Sequence, residues 1–172
     1  MMDGTAPHWV VIAFALAGVA SVAIVGGVMT EIGPWYEGLR FPSWRPPNWL
    51  FGPAWTTIFA LIAWSGVIAW ESAPDAAARE RLLALFALNG LLNIGWSPLF
   101  FKLRRPDWAL AELCVFWLST AALVAAVAAI STTAGCIIAP YLAWVTFAGF
   151  LNWTMVRLNG PFGARKTQAR TS

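Results

Sequence analysis

Residues 41–55 read FPSWRPPNWLFGPAW and stand between two long apolar runs. The stretch holds prolines at 42, 46, 47 and 53, tryptophans at 44, 49 and 55, and a single arginine, Arg45. Proline fixes φ, lacks a backbone N–H and pushes the residue before it out of the helical region. An extended, rigid loop is therefore predicted through Pro46. Proline is tolerated in a first helical turn, so Pro47 is expected as an early residue of the next helix, with Pro53 inside its first turns. A stiff aromatic loop running straight into an apolar helix suits the roof of a ligand pocket.

The runs on either side set the class. Hydrophobic residues make up 59% of the 172 and charged residues 11%, against roughly 25% charged in a typical globular protein. Mean hydropathy is +0.66. Apolar stretches near 9–29, 49–70, 82–101, 108–130 and 136–158 each approach the roughly 20 residues needed to cross a bilayer. The expected fold is an all-α membrane protein, a bundle of five transmembrane helices in one domain, with residues 30–48 as a lid. No basic segment precedes the first run, so it reads as a retained span rather than a cleaved signal. Its Ala13, Ala17 and Ser21 recur every fourth residue beside Gly18, Gly26 and Gly27. That spacing serves close packing within the chain or a contact between copies.

Between the later spans, Glu71 to Arg81 is a mixed-charge connection with a short helical lead after Pro74 and Asp75. KLRRPD (102–107) is a tight basic turn, and Ser131 to Gly135 is an uncharged turn. The tail after Asn159 is polar and basic, and its last residues are expected to be disordered. Five spans put the termini on opposite sides. Lys102, Arg104 and Arg105 then share a side with Arg40 and Arg45 of the proline loop and with Arg157, Arg165, Lys166 and Arg170 of the tail. The other side keeps Arg79 and Arg81, offset by acids. Basic segments stay inside, so the N-terminus is expected outside and the C-terminus inside.

Acid–base chemistry has little to work with here. The spans carry one carboxylate, Glu112, and no histidine, zinc spacing or Gly-rich phosphate loop. Glu112 is expected to reach the interface or pair with the adjacent basic turn, the alternative being a functional intramembrane acid. His8 stands alone and reads as a snorkelling terminal residue. Cys114 and Cys136 have no CxxC or metal spacing. No metal centre and no nucleic-acid partner are expected.

What remains is aromatic and amide chemistry. Interfacial belts account for about half of the 12 tryptophans. Asn89 and Asn93 share a helix face that Trp96 and Ser97 continue, either bonding to neighbouring helices or orienting a ligand in an apolar cavity. Trp144, Ala148 and Leu151 align on the last span beside Asn152, as a packed seam or as a slot for a flat ring system.

Three motifs resemble the translocator protein family, also called TspO, the tryptophan-rich sensory proteins or the peripheral-type benzodiazepine receptors. They are WYEGLRFPSWRPPNWLFGPAW (35–55), NIGWSPLFF (93–101) and PYLAWVTFAGFLNW (140–153). The resemblance implies a homodimeric five-helix bundle with a pocket beneath the first loop, binding porphyrins, haem-type tetrapyrroles and benzodiazepine-site ligands. It assigns Trp55 and Trp144 to porphyrin contact and light-dependent breakdown, Asn93 and Trp96 to the third-helix motif, and Ala148 and Leu151 to ligand or sterol contact. Trp108 matches a further ligand-contacting tryptophan, while Gly27 and Phe51 fall in the lining. Trp44 of the roof and Asn89 complete the expected set. Trp153 replaces the tyrosine of the family's sterol pattern, so a bacterial, tetrapyrrole-type member is the better match. The expected role is a membrane receptor, sensor or transporter for tetrapyrroles. The alternatives are a light-dependent porphyrin-degrading enzyme and a regulatory membrane partner without a ligand.

Overall fold

The computed structural model describes residues 7–163. The basic tail residues Arg165, Lys166 and Arg170, and the disorder expected there, lie outside the described residues. All regular structure among the described residues is helical: α1 (His8–Met29), α2 (Pro34–Glu37), α3 (Asn48–Ser72), α4 (Ala76–Ser97), α5 (Pro106–Ile130) and α6 (Thr132–Asn159). A π turn, Pro98–Lys102, extends α4. Five helices are long and apolar enough to cross a membrane. Around the bundle α1 packs on α3 and α4, α3 on α6, α6 on α5, and α5 on α4.

Three boundaries differ from expectation, each for a local reason. Pro47 precedes α3 rather than opening it: its φ of −62° suits a helix but its ψ of 148° is extended. α4 begins well before Leu82, because the Asp75 side chain accepts a hydrogen bond from Ala78 N at 2.7 Å and starts the helix at once. The lead and the span are one element. α6 likewise starts at Thr132, with Ser131 Oγ accepting from Ala134 N at 3.3 Å. The turn expected over 131–135 is thereby reduced to its cap. Gly135 is a helix residue there, and a Cβ on it would lie 2.5 Å from Ala128 Cβ. Its glycine is what lets α5 and α6 cross so closely.

The proline loop is ordered as expected, but is not extended throughout. Pro34–Glu37 forms one helical turn, and Arg45 N bonds to Pro42 O at 3.1 Å, closing a second turn around Trp44. Beneath the loop Tyr36, Phe100, Phe101, Ala109, Leu151 and Met155 form a buried core. Pro98 supplies Phe100 and Phe101 to it. Lacking an N–H, Pro98 leaves Ile94 O without its helical donor, and past it the turn is wider, with Leu103 N reaching Pro98 O at 2.9 Å. Widened turns of this kind are frequent at functional sites.

Polar side chains are spent between helices. Ser65 Oγ donates to Ala134 O at 3.0 Å across α3 and α6, and Trp117 Nε1 donates to Thr146 Oγ1 at 2.7 Å across α5 and α6. The Asn152 amide, oriented to suit its neighbours, donates to Pro106 O and accepts from Leu110 N, each at 3.2 Å.

Candidate functional site

A cavity of about 800 Å³ lies between α1, α3 and α4. Its lining runs from Val10 to Val22 on α1, Phe59 to Trp70 on α3 and Leu82 to Ile94 on α4, with Tyr141 from α6. These segments belong to the half of the bundle away from the proline loop. One wall is polar: Asn93 Nδ2 donates to Tyr141 OH (3.3 Å), Tyr141 OH donates to Asn89 Oδ1 (2.7 Å), and Asn89 Nδ2 donates to Ser119 Oγ and Thr120 Oγ1 (2.9 Å each). Asn89 and Thr120 are buried. The chain of bonds fixes the Asn93 amide against the cavity while consuming little of its bonding capacity. The interhelical reading of the asparagine strip is the one these bonds show, and the same two residues also line the cavity.

An aromatic cluster adjoins this cavity. Phe59 lines it and stacks on Trp55 with centroids 5.3 Å apart. Trp55 meets Trp144 edge-on at 6.2 Å, and Trp144 meets Phe51 at 6.0 Å and Phe147 at 5.5 Å. The indole N–H of Trp144 is buried without an acceptor among the described residues. On its far side Trp144 borders a shallower groove of about 440 Å³ with Ala54, Thr57 and Ala143.

Of the residues expected in a site, Asn89 and Asn93 line the cavity, and Phe51, Trp55 and Trp144 form the cluster beside it. Ala148 packs against the same core. Trp96 stacks on Phe100 at 4.9 Å, and Leu151 is buried beneath the loop. Trp44 is exposed, stacks on Phe150 at 5.2 Å and meets Phe147 of the cluster edge-on at 6.0 Å. Two others stand apart. Trp108 is 52% exposed and lies under the Arg105 guanidinium at 4.2 Å. A Cβ on Gly27 would meet nothing within 4 Å. Phe59, Tyr141 and the α1 wall were not anticipated. Helical spacing puts Phe59 one turn beyond Trp55, which was the available signal for it.

Glu112 departs from expectation. Both carboxylate oxygens are buried with no hydrogen-bond partner among the described residues, and Oε1 lies 3.8 Å from where a Cβ on Gly95 would stand. The basic turn is engaged elsewhere. Lys102 Nζ donates to Glu31 Oε2 at 3.0 Å and Arg105 Nε to Asp107 Oδ1 at 2.8 Å. His8 is not a solitary snorkelling group either, as its ring meets the Glu71 carboxylate.

The loop is strapped to the bundle. Arg40 N donates to Asn159 Oδ1 (2.7 Å) while Asn159 Nδ2 donates to Arg40 O (2.8 Å). Arg45 lies over the Phe41 ring at 3.7 Å, with Nη1 3.4 Å from Tyr36 OH. Burial raises the Tyr36 hydroxyl above its ordinary range, the nearby Arg45 charge partly opposing it. The hydrogen bond and charge of Lys102 hold Glu31 below the usual carboxylate range.

Comparison with known proteins matches residues 10–158 to the model of the TspO/MBR family. The chain is 36% identical to Protein CrtK of Rhodobacter capsulatus over 77% of its own length and 83% of the relative's. It is 34% identical to the Tryptophan-rich sensory protein of Cereibacter sphaeroides over 88% and 92%, and 36% identical to the Translocator protein of Bos taurus over 70% and 72%. With the five-helix bundle and the tryptophan motifs already in place, these matches settle the lineage: the chain is a multi-pass membrane protein and belongs to the TspO/MBR family.

Proposed function

We propose that the protein is a membrane receptor, sensor or carrier for a flat, largely apolar ligand of the tetrapyrrole class. The observation behind this reading is the cavity of about 800 Å³ bordered by a stacked aromatic pair on one wall and a hydrogen-bonded amide wall on another. Ligand sites are typically apolar clefts of about 300–1,000 Å³ with a few placed polar groups. A macrocycle in this cavity lays its face or edge against Phe59, with Trp55 and Trp144 behind, and its ring nitrogens towards Asn93. Binding comes from apolar burial and aromatic contact, at roughly 25 cal/mol per Å² of surface removed from water.

The test is porphyrin quenching of tryptophan fluorescence in lipid nanodiscs. Trp55→Phe and Trp144→Phe each weaken quenching-derived affinity severalfold if the cluster supports the ligand. Unchanged affinity in both would remove these residues from the site. The proposed orientation has the N-terminus outside and the C-terminus with the proline loop inside. It rests on Arg40, Arg45, Lys102, Arg104, Arg105 and Arg157 sharing one end of the bundle.

A further inference from the structure

We propose that the loop end of the bundle binds the phosphate of an anionic phospholipid through Arg45 and Arg104, which flank α2. The inference is independent of what occupies the cavity. Arg45 lies over the Phe41 ring at 3.7 Å and over Tyr36 at 5.8 Å, and Arg104 lies over Trp35 at 5.9 Å. Trp35 and Tyr36 are consecutive residues of α2, so the two guanidiniums are held against neighbouring rings of one short helix. A ring attracts a guanidinium through its π face and leaves the planar fork of N–H donors free at the edge. Those donors are hardly used. Among the described residues Arg45 makes one side-chain hydrogen bond, from Nη1 to Tyr36 OH at 3.4 Å, Arg104 makes none, and neither forms a salt bridge. Arg104 also has a φ of 54°, in the left-handed region that residues other than glycine enter at a cost. The turn nonetheless presents an arginine to Trp35.

The local acids do not answer this charge. Glu31 is bonded to Lys102, and Arg104 adds only a weaker pull on it. Asp107 is bonded to Arg105. Glu37, on α2 itself, is exposed and forms no salt bridge among the described residues. With the two pairs set aside, Arg40, Arg45 and Arg104 stand against Glu37 alone. Depth and charge then name the occupant. Trp35 and Tyr36 come just after the end of α1, and Arg104 just after the π turn that extends α4, where two spans leave the hydrocarbon. Trp and Tyr concentrate at the level of the lipid headgroups, and phosphates lie there. A guanidinium donates two parallel bonds to a phosphate, and each basic side chain near an anionic membrane surface strengthens attachment about fivefold. Because arginines outnumber acids here, a headgroup of net negative charge is preferred to a zwitterionic one. Held in this way, the lipid fastens the loop to the bilayer as Lys102 and Asn159 fasten it to the bundle.

The test compares nitroxide-labelled phosphatidylglycerol with nitroxide-labelled phosphatidylcholine in reconstituted bilayers, reading the fraction of label that the protein immobilises. Phosphatidylglycerol is expected to be preferred by about tenfold or more, and the preference to weaken as salt is added. Arg45→Gln combined with Arg104→Gln removes most of it. Should the double variant disturb the loop, Arg104→Gln alone, on an exposed side chain, lowers the preference about fivefold. No preference for phosphatidylglycerol in the unmodified chain overturns the proposal. An equal loss in Arg157→Gln or Arg81→Gln also overturns it, since the preference would then be a diffuse effect of net charge. Glycerol phosphate in solution is expected to leave the immobilised fraction unchanged. Displacement of the labelled lipid would assign the arginines to a soluble phosphate and overturn the lipid as occupant.

Discussion

A carboxyl group with no partner is costly inside a helical bundle, and Glu112 has none among the described residues. Removing an unsatisfied buried polar group returns its desolvation penalty, about 1–3 kcal/mol. Glu112→Leu is therefore expected to raise the thermal unfolding temperature in detergent and in nanodiscs. A drop would mean that the carboxyl has a partner in the membrane. Gly135 makes the opposite case. Its missing Cβ would stand 2.5 Å from Ala128 Cβ and 2.8 Å from Ala128 Cα. The obstacle is backbone, so a larger residue must push α6 off α5. Gly135→Leu is expected to destabilise by about 1–3 kcal/mol, read as a lower unfolding temperature, whereas Gly18→Leu, with open space around it, leaves that temperature near wild type.

At the level of elements, the loop is held by two unlike contacts, and they separate by pH. The Asn159 clamp on Arg40 involves no titrating group. The Glu31–Lys102 pair does, and Glu31 titrates below its ordinary 4.5 because Lys102 favours the charged form. A carboxylate with a depressed folded value contributes its stability above the unfolded value and loses it as pH falls through the folded one. The difference in unfolding temperature between wild type and Glu31→Gln is therefore full at neutral pH and vanishes only on acidification below 4.5. A difference that persists in acid would assign the strap to packing instead. The elements themselves were largely legible in the sequence, because spans are written in runs of apolar residues and each needs little from its neighbours. The errors fell where a single side chain decides. Asp75 and Ser131 are ordinary loop residues by composition, yet each caps a helix and moves its start by several residues. The site was legible as a set of residue types rather than as a place. Asn89 and Asn93 reached the cavity because helical spacing fixes their common face. The α1 wall escaped notice because an apolar helix lining a cavity and one facing lipid have the same sequence.

For the molecule as a whole, the orientation we propose, with the proline loop on the inner side, rests on charge placement. The loop end carries Arg40, Arg45, Lys102, Arg104, Arg105 and Arg157, and the opposite connection carries Arg79 and Arg81 with Glu71, Asp75 and Glu80. Positive side chains close to span ends resist translocation and fix orientation, while acids contribute little. Pairing does not cancel the bias. Lys102 meets Glu31 and Arg105 meets Asp107, but Arg40, Arg45, Arg104 and Arg157 form no salt bridge among the described residues and outnumber the cations of the other end. In a chain with Cys114 and Cys136 replaced by alanine, a cysteine at Arg81 is expected to react in intact cells with a thiol reagent that cannot cross membranes. One at Arg104 reacts only after the cells are broken. The reverse pattern would invert the bundle and put the proline loop on the outer face. Labelling at both positions in intact cells would mean that copies insert in both orientations.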